Sequence, residues 1–238
     1  MGEKPKKLLL AQELLEQGEF KEALRIIDKL DKASNLNDEE KLSYYLLKGS
    51  ILFDLSQFEQ SYKIAEQAYQ ESRGVKGGFY EIDILILIAR NLIRLNKLDD
   101  ALDILKQAED LIRNYLQESS STTNLKQRKA TLFSLKASTY FFKGDSENAL
   151  PNTEESLSLS NEIGDKKGIM VSLIQLGLIY FMYKGDWEKS LNYSEQAKEL
   201  GEEIGIQKCR FKFAQNYVNL GNNYSGRGEL DRALPYYE

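Results

Sequence analysis

The sequence predicts an all-α fold in which about six helical hairpins stack into a right-handed superhelix, the last hairpin being incomplete. One observation is a turn that recurs six times and is always followed by a helix with a small residue near its start. A second is that the apolar residues on either side of each turn recur at helical spacing, as they do at Tyr217, Leu220 and Tyr224. The small residues after the turns lie 38 to 48 residues apart and are Ala23, Ser61, Ala101, Ala149, Ser190 and Ala233.

The helix before each turn carries its own small residue, followed three residues later by leucine or tyrosine. Small residues on both helices of a pair allow the two backbones to approach closely where they cross. Because such a repeat extends over the whole chain, it indicates one solenoid rather than separate globular domains. The small residues before the turns are Ala11, Gly49, Ala89, Ala137, Gly177 and Gly221.

We predict a single array with repeats at about 5–36, 37–74, 78–118, 124–164, 165–205 and 206–238. Helices are expected at 5–17, 20–33, 38–55, 58–73, 79–95, 98–118, 124–143, 146–162, 166–184, 187–203, 207–226 and 229–238. A glycine-rich stretch and a serine- and threonine-rich stretch predict mobile links at 72–78 and 119–124. Gly164 and Gly205 are expected to end helices, and Asp165 to begin one. Pro151 and Pro235 are expected in the first turn of second helices that start late.

Composition argues against several classes of function. Among 238 residues there is no histidine and one cysteine, and the net charge is −5. We therefore expect no metal site, no cofactor, no nucleic-acid partner and a reducing compartment such as the cytoplasm. No apolar run approaches the ~18 residues of a membrane span, so no membrane association is expected. Cys209 lacks a histidine partner, and a partly buried helix cysteine is favoured over a reactive thiol of lowered pKa.

The repeat resembles the tetratricopeptide repeat (TPR). Its signature residues are matched at Leu220, Gly221, Tyr224, Ala233 and Tyr237, with Tyr217 in place of the usual tryptophan. The spacing of about 40–42 residues resembles the longer-period branch that includes kinesin light chains and bacterial peptide-sensing regulators. The resemblance covers essentially the whole chain, and it implies an α-solenoid whose first helices line a concave groove.

By the same resemblance, the flank of each first helix would contact a partner. The asparagines would hold the backbone of an extended peptide, although solvated polar residues explain them equally well. The apolar residues would take its side chains, and the two arginines would pair with an acidic side chain. The groove residues so predicted are Arg90, Arg94, Ser134, Ser138, Phe141, Ile174, Leu178, Phe181, Gln215, Asn219 and Asn222.

The sequence therefore predicts a non-catalytic scaffold that binds a peptide or helical segment of a partner protein. The alternative is a peptide-sensing regulatory domain of a larger signalling or transcription-regulating protein. An enzyme is the weakest hypothesis, with Cys209 as its first candidate residue. Glu238 falls inside the second helix of the last repeat. We accordingly expect either that the natural chain continues, or self-association through the C-terminal repeat.

Overall fold

The computed structural model describes residues 3–31, 36–72, 75, 79–118 and 122–238. The chain divides into two compact units, Met1–Glu118 and Ser119–Glu238. The first unit contains helices α1 (Glu3–Gln17), α2 (Phe20–Asp31), α3 (Asp38–Asp54), α4 (Phe58–Ser72), α5 (Tyr80–Arg94) and α6 (Leu98–Glu118). The second contains α7 (Thr123–Phe142), α8 (Ser146–Ile163), α9 (Lys166–Ile179), α10 (Trp187–Ile204), α11 (Ile206–Gly226) and α12 (Leu230–Tyr237).

The predicted all-α fold of helical hairpins is confirmed. Each odd-numbered helix packs against the helix that follows it, which makes six consecutive pairs. Apart from the end of α9, the helix ends differ from the predicted ones by no more than two residues. Most of the two predicted links, namely residues 73–74, 76–78 and 119–121, lies outside the described residues.

Within each unit the helices form two layers. Successive first helices contact each other, α1 with α3 and α3 with α5 in the first unit, and α7 with α9 and α9 with α11 in the second. Among the described residues, successive second helices approach one another less closely. Each unit therefore curves so that its first helices form the inner face, which we call the first-helix face.

The small residues lie where the helices of a pair cross, and all twelve are buried. In two pairs the crossing combines glycine with serine. The Ser61 hydroxyl donates to the Gly49 carbonyl at 2.7 Å, and the Ser190 hydroxyl donates to the Gly177 carbonyl at 2.8 Å. Without a Cβ on the glycine, the buried hydroxyl reaches the backbone oxygen and gains the hydrogen bond that burial requires.

Gly221 was expected to mark a close approach of another helix backbone, and this expectation is wrong. A Cβ placed at Gly221 would lie 2.6 Å from the ring of Tyr237, so a side chain occupies the space. At Gly177 both a side chain and backbone are close, since a Cβ there would lie 2.9 Å from the Ser194 hydroxyl oxygen and 3.3 Å from the carbonyl oxygen of Ser190.

The turn inside every pair places one residue at positive φ. Glycine takes this position in four pairs, as its lack of a side chain favours. Serine and asparagine take it in the second and third pairs, with φ of 61° at Ser56 and 58° at Asn96. After the turn, Asp145 and Asp186 cap α8 and α10 by accepting the amides of Asn148 and Lys189.

The helix end predicted at Gly164 and the helix start predicted at Asp165 are present, but the prediction for the prolines is wrong. Gly164 ends α8 with φ of 69°, and Asp165 begins α9 by accepting the amide of Gly168 at 3.1 Å. The second helices do not start late: α8 begins at Ser146 and α12 at Leu230, so Pro151 and Pro235 lie inside them. For α8 the physical reason is the Asp145 cap, which fixes the start of the helix ahead of the proline.

Candidate functional site

The serines predicted on α7 are joined to α9 by one glutamine. The Gln175 amide donates to the Ser134 carbonyl at 2.9 Å and to the Ser138 hydroxyl at 2.7 Å. The Ser134 hydroxyl in turn donates to the Gln175 side-chain oxygen at 3.1 Å. These three hydrogen bonds fix the spacing of the first helices. Sequence reasoning missed Gln175, although it follows Ser134 by 41 residues, the local repeat interval.

An apolar edge, formed by Phe141, Phe142, Phe181, Met182 and Tyr183, lies where α7 and α9 end. Phe141 is half-buried and makes edge-to-face contacts with Phe142 at 5.7 Å and with Tyr183 at 5.3 Å between ring centroids. Phe142 and Met182 are each 58% exposed. Exposed apolar side chains that adjoin half-buried ones are typical of interaction sites.

Leu178 of α9 and Phe181, two residues past the end of α9, are half-buried, whereas Ile174 is buried. The Phe181 ring lies 6.3 Å from that of Trp187, between centroids, so the second helix of the pair supports it. Ile174 packs in the core with Met170 and Phe213 and presents no surface to a partner. The residues predicted on α9 are therefore divided between the core and the first-helix face.

A π-helical turn, Tyr180–Lys184, follows α9 and gives the apolar edge its shape. The two small residues of this pair, Gly177 and Ser190, are 13 residues apart, whereas every other pair has 12. The extra residue lies before the positive-φ glycine, and a π turn is the usual way for a helix to absorb a single inserted residue. It brings the Tyr183 hydroxyl to the Phe141 carbonyl, a hydrogen bond of 2.7 Å. The 13-residue spacing is visible in the sequence, but the predicted helix extends through residue 184, whereas α9 ends at Ile179.

The polar residues predicted on α11 have three different environments. Gln215 is exposed, Asn219 is only 5% exposed, and Asn222 is half-buried and accepts a hydrogen bond from the Tyr237 hydroxyl at 2.8 Å. Asn219 also differs from Ser134 in register: it lies two residues before the small residue Gly221, whereas Ser134 lies three residues before Ala137. On a helix this difference of one position is a rotation of about 100°.

Three asparagines of α11 are buried, and one of them contacts α10. Asn216, Asn219 and Asn223 recur at i, i+3 and i+7 on α11 and are all buried. The Asn216 amide donates to the Ser194 carbonyl at 2.7 Å, and the Asn223 amide to the Asn219 carbonyl at 2.9 Å. Within the described residues, the side-chain oxygens of Asn216 and Asn223, the Asn219 amide nitrogen and the Ser194 hydroxyl have no hydrogen-bond partner.

In the first unit, Arg90 and Arg94 of α5 stack on aromatic rings of the preceding hairpin. The guanidinium of Arg90 lies 4.1 Å from the centroid of the Phe53 ring, and that of Arg94 lies 5.0 Å from the centroid of Phe58. Arg90 approaches the Asp54 carboxylate only to 3.9 Å. Burial lowers the pKa of Arg90 and raises the pKa of Asp54, and their mutual attraction opposes both shifts.

Cysteine and acidic side chains are the remaining candidates for chemistry among the described residues. Cys209 is buried, and burial raises the pKa of its thiol, which agrees with the favoured interpretation of a buried helix cysteine. No group of three or more acidic or cysteine side chains in the described ranges could hold a metal ion. The same part of the chain contains no helix long and apolar enough to cross a membrane.

Known structures share this architecture. No family model matches the sequence, and no curated protein sequence matches it. NprR, solved in complex with its cognate peptide NprX, is 18% identical, with a TM-score of 0.75 over 98% of this chain and 64% of NprR. PlcR of Bacillus thuringiensis, solved with the peptide PapR7 and DNA, is 13% identical, with a TM-score of 0.74 over 89% of this chain and 73% of PlcR.

A third similar structure contains a tetratricopeptide repeat. It is the signal-transduction ATPase PH0952 of Pyrococcus horikoshii, which has a tetratricopeptide repeat sensor. It is 19% identical, with a TM-score of 0.66 over 90% of this chain and 30% of PH0952. The chain has a TPR-type fold. This TPR-type chain spans less than two thirds of NprR and of PH0952.

Proposed function

We propose that this chain binds a peptide or helical segment of a partner protein along the first-helix face of its second unit. The observation that carries the proposal is the apolar edge, where Phe142 and Met182 are each 58% exposed although the fold could accommodate polar residues there. The equivalent positions of the second hairpin and the last hairpin are Asp54 and Gly226. An apolar pair retained at an exposed site is best explained by a partner that covers it.

The surface is preformed, which favours binding. The Gln175 hydrogen bonds to Ser134 and Ser138 and the Tyr183 bond to Phe141 hold α7 and α9 at fixed spacing before any ligand arrives. A rigid site does not lose conformational freedom when the ligand binds, so less of the interaction energy is spent on ordering. Two structures with this fold, NprR and PlcR, were solved with bound peptides, which supports a peptide as the ligand class.

Asn222 and Gln215 would supply the polar part of the same site. Asn222 accepts from Tyr237 through its side-chain oxygen, which leaves the amide group as a donor for a peptide carbonyl. Asn219 is buried, so we do not assign it to direct recognition of the peptide. The role is non-catalytic in this proposal, since Cys209 is buried and has a raised pKa.

A second candidate is a peptide-sensing regulatory domain of a larger protein. It is favoured by the matches, because the chain corresponds to 64% of NprR and to 30% of PH0952, whose description includes a repeat sensor. The two candidates share the peptide-binding surface and differ in whether binding changes the activity of another domain.

The test is selection from a random peptide library on the full chain, followed by affinity measurements with the selected peptides. Phe142→Ser combined with Met182→Ser should weaken binding by about tenfold or more, since burying one such side chain contributes roughly 1.5–3 kcal/mol. The matched control is Leu230→Ser with Leu234→Ser, which removes two comparably exposed side chains from α12. Failure to select any peptide, or equal losses in the two double variants, would contradict the proposal.

A further inference from the structure

We propose that the third hairpin of each unit, α5–α6 in the first and α11–α12 in the second, is attached through a polar joint at which it opens and closes separately from the hairpin before it. The inference goes beyond the proposed function and does not depend on a peptide. It follows from the residues at the junctions between hairpins, from their hydrogen bonds, and from the positions of the buried amides.

The residues at the junctions repeat from unit to unit. We define a junction by three residues: the two small residues of one hairpin, and the residue two positions after the first small residue of the next. In both units the first junction consists of alanine, alanine and isoleucine, and the second of glycine, serine and asparagine. All of these residues are buried. The junctions are Ala11 with Ala23 and Ile51, Gly49 with Ser61 and Asn91, Ala137 with Ala149 and Ile179, and Gly177 with Ser190 and Asn223.

Buried amides follow the same division. The first junction of the second unit also buries two serines, but the Ser172 hydroxyl donates to that of Ser156 at 3.0 Å, and the contact contains no buried amide among the described residues. The described part of the chain has four buried asparagines, and each lies in the first helix of a third hairpin. They are Asn91 of α5, and Asn216, Asn219 and Asn223 of α11.

In the first unit the junction residues form a chain of hydrogen bonds. The Ser61 hydroxyl donates to the Gly49 carbonyl at 2.7 Å and accepts from the Asn91 amide at 2.9 Å. The same amide donates to the Leu87 carbonyl of its own helix at 2.8 Å. Within the described residues the buried side-chain oxygen of Asn91 has no partner. The bond from Asn91 to Ser61 links the two hairpins, and we call it the latch.

The register of α10 and α11 places Asn223 level with Ser190, as Asn91 is with Ser61. Asn223 lies between two points at which α11 meets α10, and Ser190 lies between the same two points on α10. These points are the Asn216 amide with the Ser194 carbonyl, and Gly226 with the Trp187 ring.

In the second unit the latch is not formed. The Ser190 hydroxyl donates to the Gly177 carbonyl at 2.8 Å, as in the first unit. The Asn223 amide, however, donates to the Asn219 carbonyl of its own helix at 2.9 Å, and no hydrogen bond between described residues joins it to Ser190. The same three residue types therefore occur with the latch made in one unit and unmade in the other.

A junction of this kind opens more readily than an apolar one. Opening an alanine and isoleucine junction exposes apolar surface to water, which is unfavourable. Opening a glycine, serine and asparagine junction returns a hydroxyl and an amide to water, which replaces the hydrogen bonds that are lost. The Asn91 oxygen even gains a partner. Since local opening is easiest where the native contacts are weakest, the third hairpin is the part of each unit that opens first.

The experiment measures native-state hydrogen exchange of the full chain by mass spectrometry, with no ligand added. Protection of the amides in α5 and α6 should be about tenfold lower than in α3 and α4. Ser61→Ala with Asn91→Ile gives this joint the residues of the first junction and should remove most of the difference. Equal protection of the two hairpins in the unmodified chain, or an unchanged difference in a folded double variant, would overturn the proposal.

Two single variants test the latch even if the double variant does not fold. Ser61→Ala removes the bonds to Gly49 and Asn91, whereas Ser190→Ala removes only the bond to Gly177. Exchange in α5–α6 should therefore accelerate in the first variant about fivefold more than exchange in α11–α12 does in the second. Equal acceleration would overturn the latch. Because no peptide is present, these failures would leave the proposed function standing, and failure to select a peptide would leave the joint standing.

Discussion

The buried asparagines of α11 take amide groups out of water, which is costly unless each amide is hydrogen-bonded. Asn219 and Asn222 were assigned to a groove together, yet Asn219 is buried and Asn222 is half-buried. A helical repeat predicts which side of a helix faces the core. The small residues identify that side correctly in all six hairpins. Polar residues at core positions contradict the pattern, so the burial of Asn216, Asn219 and Asn223 could not be predicted from it.

Ser56 offers a test at the scale of one residue. It occupies the positive-φ position of its turn, with φ of 61°, where a side chain is disfavoured. Ser56→Gly should raise the free energy of unfolding by roughly 0.5–1 kcal/mol, measured by urea denaturation. Asn96→Gly is the matched control and should gain less, because asparagine tolerates this conformation better than serine. A loss of stability in Ser56→Gly would contradict the account of the turns.

At the scale of one helix, the π turn tests whether a single inserted residue shapes the apolar edge. Deleting Met182 restores the 12-residue spacing of the other pairs and should convert the turn into ordinary α-helix. We expect the fold to survive, with full helicity by circular dichroism and a free energy of unfolding changed by about 1 kcal/mol or less. The hydrogen bond from the Tyr183 hydroxyl to the Phe141 carbonyl should be lost, and the affinity for the peptide should fall.

The matched control deletes Phe142 from α7, whose pair already has the 12-residue spacing. There the deletion rotates part of the helix by about 100° and should destabilise the second unit by several kcal/mol. Equal damage from the two deletions would show that the π turn does not absorb an extra residue.

Helices and their pairing were predictable because each copy of the repeat restates the same local signals, namely a small residue at each crossing and a turn residue at positive φ. Gln175 was not predictable in the same way, since its role depends on two serines of the preceding hairpin. Ile174 was placed on the groove by its register, but nearly every side of α9 is apolar, so periodicity there does not distinguish core from surface.

At the scale of the whole molecule, a single array across both units stays a prediction, and the chain contains a local reporter for it. Trp187 is the only tryptophan and lies in the second unit. Leu85→Ala, in the core of the first unit, removes a fully buried side chain and should cost about 2–5 kcal/mol. If the hairpins form one coupled array, this change should also lower the urea midpoint reported by Trp187 fluorescence.

The control is Gln12→Ala, an exposed substitution on α1. It should change the urea midpoint of neither the first unit nor the second. A Trp187 midpoint that does not respond to Leu85→Ala would show that the two units unfold independently, against the single-array prediction.

The extra residue in the fifth hairpin also bears on how such a chain can evolve. Arrays of this kind grow by duplicating a hairpin, and duplicates remain interchangeable only while their lengths and contacts agree. Tyr183 reaches back to Phe141 of the preceding hairpin through the π turn, so the fourth and fifth hairpins are matched to each other. A duplication or exchange that separated them would leave a tyrosine without its acceptor. The two hairpins are therefore expected to be inherited together, as one unit of recombination.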